Sequence, residues 1–213
     1  MKILPGIRPV GWWEDFWKDP ACDYGRPSKT LLKYSSQFYK DLITNKKPTV
    51  VDIGSGNGRY AIPLAELGYT VDAIELTASG VERILAEAKQ KHLYIGAVQG
   101  DFIKLCSEQK SYDLVLSSGL IEEVEPKHHK NIIEGFKNWV GKSGYALVKY
   151  CLEIQGRGQL VQEGLVPELF NVPGWEILYV EEEKEMHPSR AQFVKENEID
   201  SAIRTGTLVA HKI

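Results

Sequence analysis

An α/β fold on a mostly parallel sheet follows from three features of the sequence. Short runs rich in β-branched and aromatic residues alternate with longer stretches of helical period. Several short runs, VVDI and YDLVL among them, are largely apolar on both faces, as strands buried between two helical layers must be. No repeat or long linker divides the 213 residues. One domain over 1–213 is therefore expected, with residues 1–48 as a cap or lid segment and 49–213 as the core sheet.

Taken in order, the cap brings Trp12, Trp13, Phe16 and Trp17 into one short span. An amphipathic helix follows over 28–44, with Leu31, Leu32, Phe38, Leu42 and Ile43 on its apolar face. The first strand is expected at 49–53 and the first crossover helix at 59–67, stopped by Gly68. A second strand at 70–76 leads to a helix at 78–91, with Val81, Ile84, Leu85 and Ala88 on one face. The third strand spans 93–98, and Asp101 is placed to cap a short helix over 102–108. The fourth strand is at 112–117. The helix at 126–140 turns Ile132, Ile133, Phe136 and Trp139 inward and ends at Gly141, before a fifth strand at 144–152. The last runs, 175–182 and 205–212, have no helical period between them and are expected to pair antiparallel. The charge run EEEKE at 181–185 reads as a solvated strand end.

Composition removes several classes. Lys+Arg 26 against Asp+Glu 29 gives a net charge of −3, which excludes a generally basic nucleic-acid binder. No long apolar run predicts a membrane span, and residues 1–17 lack the pattern of a cleaved leader. Cys22, Cys106 and Cys151 are odd in number and far apart, so neither a disulfide framework nor a metal site is expected. Reduced thiols in a cytoplasmic protein are the simplest reading.

The sharpest chemical signal is VVDIGSGNGR at 50–59. A glycine-rich turn between a strand and a helix is a nucleotide-binding context. Gly54 permits the turn, and Gly56 lets backbone approach a ligand with no Cβ in the way. Gly58 allows close packing at the helix start. Glu75, ending the second strand, is placed to accept both hydroxyls of a ribose. The pattern is D-x-G-x-G-x-G, not G-x-G-x-x-G, and Asp52 stands where a pyrophosphate would be repelled. A cofactor with an ammonium and no phosphate suits that charge, as S-adenosylmethionine does.

On these residues the chain resembles the class I S-adenosylmethionine-dependent methyltransferases, over most of its length. Within them it is most similar to the small tellurite-resistance and thiopurine-type enzymes. DIGSGNGRYAIPLAELGYTVDAIEL resembles their turn, helix and second strand; GWEILYVEEEKEMH resembles their sixth strand and a following Glu-x-His; WWEDFWKD is a looser match to a Trp-rich cap. The resemblance implies a Rossmann-like, seven-stranded, mostly parallel sheet with an antiparallel C-terminal strand, helices on both faces and an N-terminal helical cap. It implies S-adenosyl-L-methionine along Asp52, Gly54, Ser55, Gly56, Gly58, Glu75 and Leu76. Asp101 and Phe102 then meet the adenine, and Ser117, Ser118 and Gly119 line the methionine side. Leu120 and Ile121 would face adenine or substrate.

Glu122, Glu123 and Glu125 are expected to open the next helix, where carboxylates suit its dipole; one facing an amine substrate is the second reading. Tyr24 and Arg26 join the cap aromatics as lid candidates that reach the methionine end, an Arg suiting its carboxylate; plain helix packing is the competing reading. By resemblance, Glu185 and His187 lie near the pocket mouth and, with Tyr24, are the candidate catalytic residues. His128 and His129 read as a solvated helix start, and Tyr150 as a possible pocket wall. Methyl transfer from a sulfonium needs alignment and exclusion of water more than a base, so the lack of a triad is compatible with it. The expectation is a methyltransferase acting on a small molecule, as a monomer or homodimer, without nucleic acid or membrane partners. The acceptor atom stays open among oxygen, nitrogen, sulfur and a metalloid anion. Other chemistry with the same cofactor, such as an intramolecular cyclisation releasing methylthioadenosine, and a non-catalytic binding module also stay open.

Overall fold

The apolar-both-faces runs pair into one sheet, and helices cover both sides of it. The computed structural model describes residues 7–22, 24–43, 46–188 and 202–213. Helices α1 (Val10–Lys18) and α2 (Lys29–Leu42) precede the sheet. Five parallel strands follow: β1 (Thr49–Ile53), β2 (Thr70–Glu75), β3 (Ile95–Gln99), β4 (Tyr112–Ser118) and β5 (Val140–Ile154). They are joined through α3 (Ala61–Leu67), α4 (Ala78–Gln90), α5 (Phe102–Leu105) and α6 (Pro126–Trp139), with a 3₁₀ turn at Ile121–Glu123. The two-residue β6 (Gly158–Gln159), α7 (Leu165–Phe170), β7 (Trp175–Glu182), the two-residue β8 (His187–Pro188) and β9 (Ala202–Lys212) complete the described elements.

The strand order is β3-β2-β1-β4-β5-β9-β7, with β9 antiparallel to both neighbours. This is the mostly parallel sheet with an antiparallel C-terminal strand that the sequence implies; β6 and β8 are small additions at its margin. Alternation along each strand sends successive side chains to opposite layers. Val51, Ile53, Val115 and Val148 meet α6 and α7 through Ile132, Phe136, Trp139 and Phe170. Val50, Leu114, Leu116 and Leu147 meet Leu31, Leu64 and Ile84 on the other face. The α1 aromatics form a third, separate cluster around Phe16, Trp17 and Cys22. The order reverses between β1 and β4, and the crevice beyond their carboxyl ends is where such sheets bind ligands.

Several boundaries differ from expectation for local reasons. β3 starts late because Leu93 N still donates to Ala88 O, closing α4 at 2.8 Å. Gly141 does not end α6: the chain passes from Trp139 straight into β5, which is much longer than the expected fifth strand. α7 was invisible to periodicity because it is only six residues long. The EEEKE run is not a simple solvated end. Glu182 accepts the Tyr150 hydroxyl at 2.7 Å and Gly164 N at 2.9 Å, and Glu183 accepts Thr205 N at 2.9 Å. Tyr150 is correspondingly buried in the core and is no pocket wall. Part of the polar stretch between β7 and β9, residues 189–201, lies outside the described residues. No described helix is long and apolar enough to cross a membrane.

Candidate cofactor and acceptor site

The turn after β1 is built from backbone. Gly54 N and Ser55 N both donate to Ile74 O, at 2.9 and 3.1 Å, which ties the turn to β2. Gly54, Gly56 and Gly58 have φ of +73°, +57° and +85°, a region that side chains strongly disfavour. At Gly56 a Cβ would also come within 2.7 Å of Trp17 Cζ2, so the cap rests on bare backbone there. Asp52 lies beneath, 1% exposed, and accepts Ala61 N at 3.0 Å. Burial pushes its carboxyl up to about 7. Asp52 therefore does not line the cavity, as the resemblance implied, but holds the start of α3 from below.

Glu75 ties the glycine turn to the start of α4. Its Oε2 accepts Gly56 N at 2.8 Å, and its Oε1 accepts Thr77 N and Oγ1 at 3.0 and 2.8 Å. Thr77 in turn caps α4 by accepting Gly80 N at 3.2 Å. The carboxylate is thus fixed in place before any ligand arrives.

A cavity of about 370 Å³ runs from Glu75 across the tips of β1, β2, β3 and β4 beneath α1, within the size range of small-molecule sites. Of the expected residues, Tyr24, Gly54, Ser55, Gly56, Glu75, Leu76, Asp101, Phe102, Ser118, Gly119 and Leu120 line it. Asp101 does so while its Oδ1 caps α5 by accepting Ile103 N at 3.1 Å. Burial raises the Tyr24 hydroxyl far above its ordinary value, so it stays protonated and cannot serve as a base at neutral pH.

Other expectations fail for identifiable reasons. Gly58 faces Ile84 and Ile62 inside the fold. Ser117 spends its hydroxyl on Ile53 O at 3.0 Å, pinning β4 to β1, and Ile121 is fully buried in the core. Arg26 is exposed and off the cavity. The arginine that does line the cavity is Arg59, which follows the glycine turn and donates to Tyr24 O at 2.8 Å and Ser118 Oγ at 3.2 Å. Glu185, in the bend before β8, and His187, on β8 opposite Ile203 of β9, are exposed and do not line the cavity. His128 is no bystander: it lines the cavity, whereas His129 is buried with Nε2 at 2.9 Å from Val124 O.

At the far end the sequence offers a carboxylate only as a second reading, and gives no sign of the arginines that hold it. Glu122 and Glu123 do not open α6; they lie on the preceding 3₁₀ turn, and only Glu125 sits at the helix start. Glu123 lines the cavity, and its Oε1 receives Arg8 Nη1 at 2.8 Å and Arg157 Nη1 at 3.4 Å. Arg8 also lies over Trp12 and Trp13, at 4.5 and 5.2 Å from their ring centres. Glu122 is buried behind Gly119, and burial, with help from Glu123, pushes its carboxyl up to about 7. No local signal could have joined Arg8 to Glu123 across 115 positions. At its other end α1 is held down by Ser79 Oγ, which donates to Glu14 O at 2.9 Å, and by Arg83, which donates to the carbonyls of Trp17, Asp19 and Cys22.

These residues fit S-adenosylmethionine. Glu75 offers acceptors for a ribose, Asp101 an acceptor for an adenine amine, and Arg59 a guanidinium for an amino-acid carboxylate. They do not fit a dinucleotide. A pyrophosphate binds at an open helix N-terminus, and here Ala61 N is taken by Asp52 and Ile62 N by Gly58 O at 2.9 Å.

Comparison with known proteins agrees. Residues 50–144 match the family described as "Methyltransferase domain". The chain is similar to the ubiquinone biosynthesis O-methyltransferase of Rickettsia conorii, 35% identical over 94 residues, which are 44% of this chain and 32% of that protein. It thus spans about a third of that relative's length. Its fold is similar to that of TehB from Haemophilus influenzae, with a TM-score of 0.71 and 19% identity over 94% of this chain and 67% of that one. It is also similar to that of the N-methyltransferase NodS from Bradyrhizobium japonicum, determined in complex with S-adenosyl-L-homocysteine, with a TM-score of 0.70 and 9% identity over 95% of this chain and 97% of that one.

Proposed function

We propose, for a chain that carries a methyltransferase domain on the class I S-adenosylmethionine-dependent fold, that it transfers a methyl group to a small molecule held under α1. The observation that carries this reading is the bond from Gly56 N to the Glu75 carboxylate at 2.8 Å, at the head of a cavity closed to pyrophosphate. S-adenosylmethionine supplies, when bound, a methyl group on a sulfonium with a neutral leaving group. Glu75 and Leu76 hold its sugar side, Asp101 and Phe102 its adenine, and Arg59 with Ser118 and Gly119 its amino-acid end. Trp13 and Trp17 of α1 line the cavity and screen part of it from solvent, which favours an in-line displacement over hydrolysis.

The whole chain acts as one domain, residues 1–48 serving as the cap. It works in the cytoplasm, as a monomer or homodimer, and not on nucleic acid, since a net charge of −3 gives the chain no general attraction for a backbone of phosphates. Calorimetric titration with S-adenosylhomocysteine tests the site, and formation of S-adenosylhomocysteine from S-adenosylmethionine with a panel of small acceptors tests the reaction. Tight binding of NAD in place of S-adenosylhomocysteine would refute the reading.

A further inference from the structure

Glu123 closes the acceptor end of the cavity with an unusual division of labour between its two oxygens. Oε1 takes both Arg8 Nη1 and Arg157 Nη1, at 2.8 and 3.4 Å. Oε2 is buried and receives no hydrogen bond. The side chain is only 7% exposed, yet it lines the cavity just beyond the β4 tip, where Gly119 marks the methionine end. A buried carboxylate oxygen with no donor is costly. Side chains this buried are ordinarily satisfied. The cavity lining includes apolar Val10, Val124 and Ile132 as well as donors such as Tyr24 and His128, and none of the donors reaches Oε2. The two guanidiniums hold the carboxylate through one oxygen, and no protein donor meets the other.

We infer that the group to be methylated carries its own O–H or N–H and donates it to Glu123 Oε2, so that Glu123 orients the nucleophile. The acceptor is a hydroxyl or amine compound with an apolar body, and not a thiolate or a fully deprotonated oxyanion, neither of which brings a proton to donate. This deepens the methyl-transfer reading and rests on it.

The test is equilibrium calorimetry on the full chain saturated with S-adenosylhomocysteine, which leaves the methyl position open. The probes are phenol, aniline and toluene, alike in shape and different in donors. Phenol and aniline are expected to bind about tenfold tighter than toluene, the scale of a hydrogen bond to a charged group; whichever of them is tighter tells hydroxyl from amine. Glu123→Gln keeps the shape, and its amide oxygen stays with the guanidiniums, so an NH₂ replaces Oε2. That variant is expected to bind S-adenosylhomocysteine as before and to hold the three probes within about twofold. A merely structural role for Glu123 would weaken all three probes together and leave their ratio unchanged. Equal binding of the probes by the native chain, no binding of any of them, or an unchanged ratio in Glu123→Gln overturns the inference alone. Failure of S-adenosylhomocysteine to bind at all overturns the methyl-transfer reading beneath it, and the inference with it.

Discussion

Single residues set the site, and the most informative is Glu75, because one carboxylate both braces the glycine turn and lines the cavity. Glu75→Ala is expected to lower S-adenosylhomocysteine affinity about a hundredfold, the scale of losing charge-assisted bonds worth roughly 3 kcal/mol; calorimetry reads it directly. Gly56→Val acts differently. Its φ of +57° and the 2.7 Å approach of Trp17 mean that any Cβ displaces the cap. Its expected signature is therefore lost binding together with a shift in tryptophan fluorescence. Burial of Glu122 makes a pH prediction. Its carboxyl is raised from 4.5 to about 7, so the folded chain holds a proton that the unfolded chain releases. That contribution is fully present below the unfolded value and is lost as pH rises through the folded one. Glu122→Gln, always neutral, is expected to gain on the native chain by an order of 3 kcal/mol between about pH 5 and about pH 8 in urea melts. A difference that does not change with pH would count against a buried, protonating Glu122.

At the scale of elements, α1 behaves as a separately packed flap: its aromatic cluster is distinct from both sheet cores. Its C-terminal end hangs on Arg83, whose Nη1 lies 3.4, 3.3 and 3.0 Å from three carbonyls. Arg83→Ala removes those bonds and no core atom. The expected result is about tenfold weaker S-adenosylhomocysteine binding, with faster amide exchange over 10–18 and little change in melting temperature. This element also shows what sequence reveals. The four aromatics were plain to see, but whether they formed a lid or a packed helix depended on Arg8 and Arg83, which lie far away in sequence. By contrast the turn, Glu75 and Asp101 were readable because each is fixed by spacing to its own strand end. Arg59 stood next to the turn, yet Arg26 was preferred for its role. The carbonyl of Tyr24 and the hydroxyl of Ser118, which aim Arg59, come from distant segments. Likeness alone points to Glu185 and His187, and the fold leaves both side chains exposed, His187 on β8 and Glu185 in the bend before it.

For the whole molecule, the order of strands matters more than their count. Alternation in sequence was enough to predict five parallel strands, since each crossover is local. The place of β9 was not derivable from local pattern: it slots between β5 and β7 and pairs with both. Its residues Leu208, Val209 and Ala210 are fully buried and belong to the two cores in turn. Cooperativity must therefore depend on the last strand far more than on the first helix. Ending the chain after residue 201 would expose one full edge of β5 and strand β7 with no partner in the sheet. That variant is expected to lose cooperative unfolding and to bind a hydrophobic dye, as a chain with an opened core does. Removing residues 1–20 takes away α1, whose cluster is its own. The shortened chain is expected to keep a single cooperative transition, with a melting temperature lower by several degrees, as for a loss of about 1–2 kcal/mol in a chain of this size, while binding S-adenosylhomocysteine poorly. If the two truncations had the reverse effects, the separation of a self-supporting sheet from a cap that serves only the cavity would be wrong.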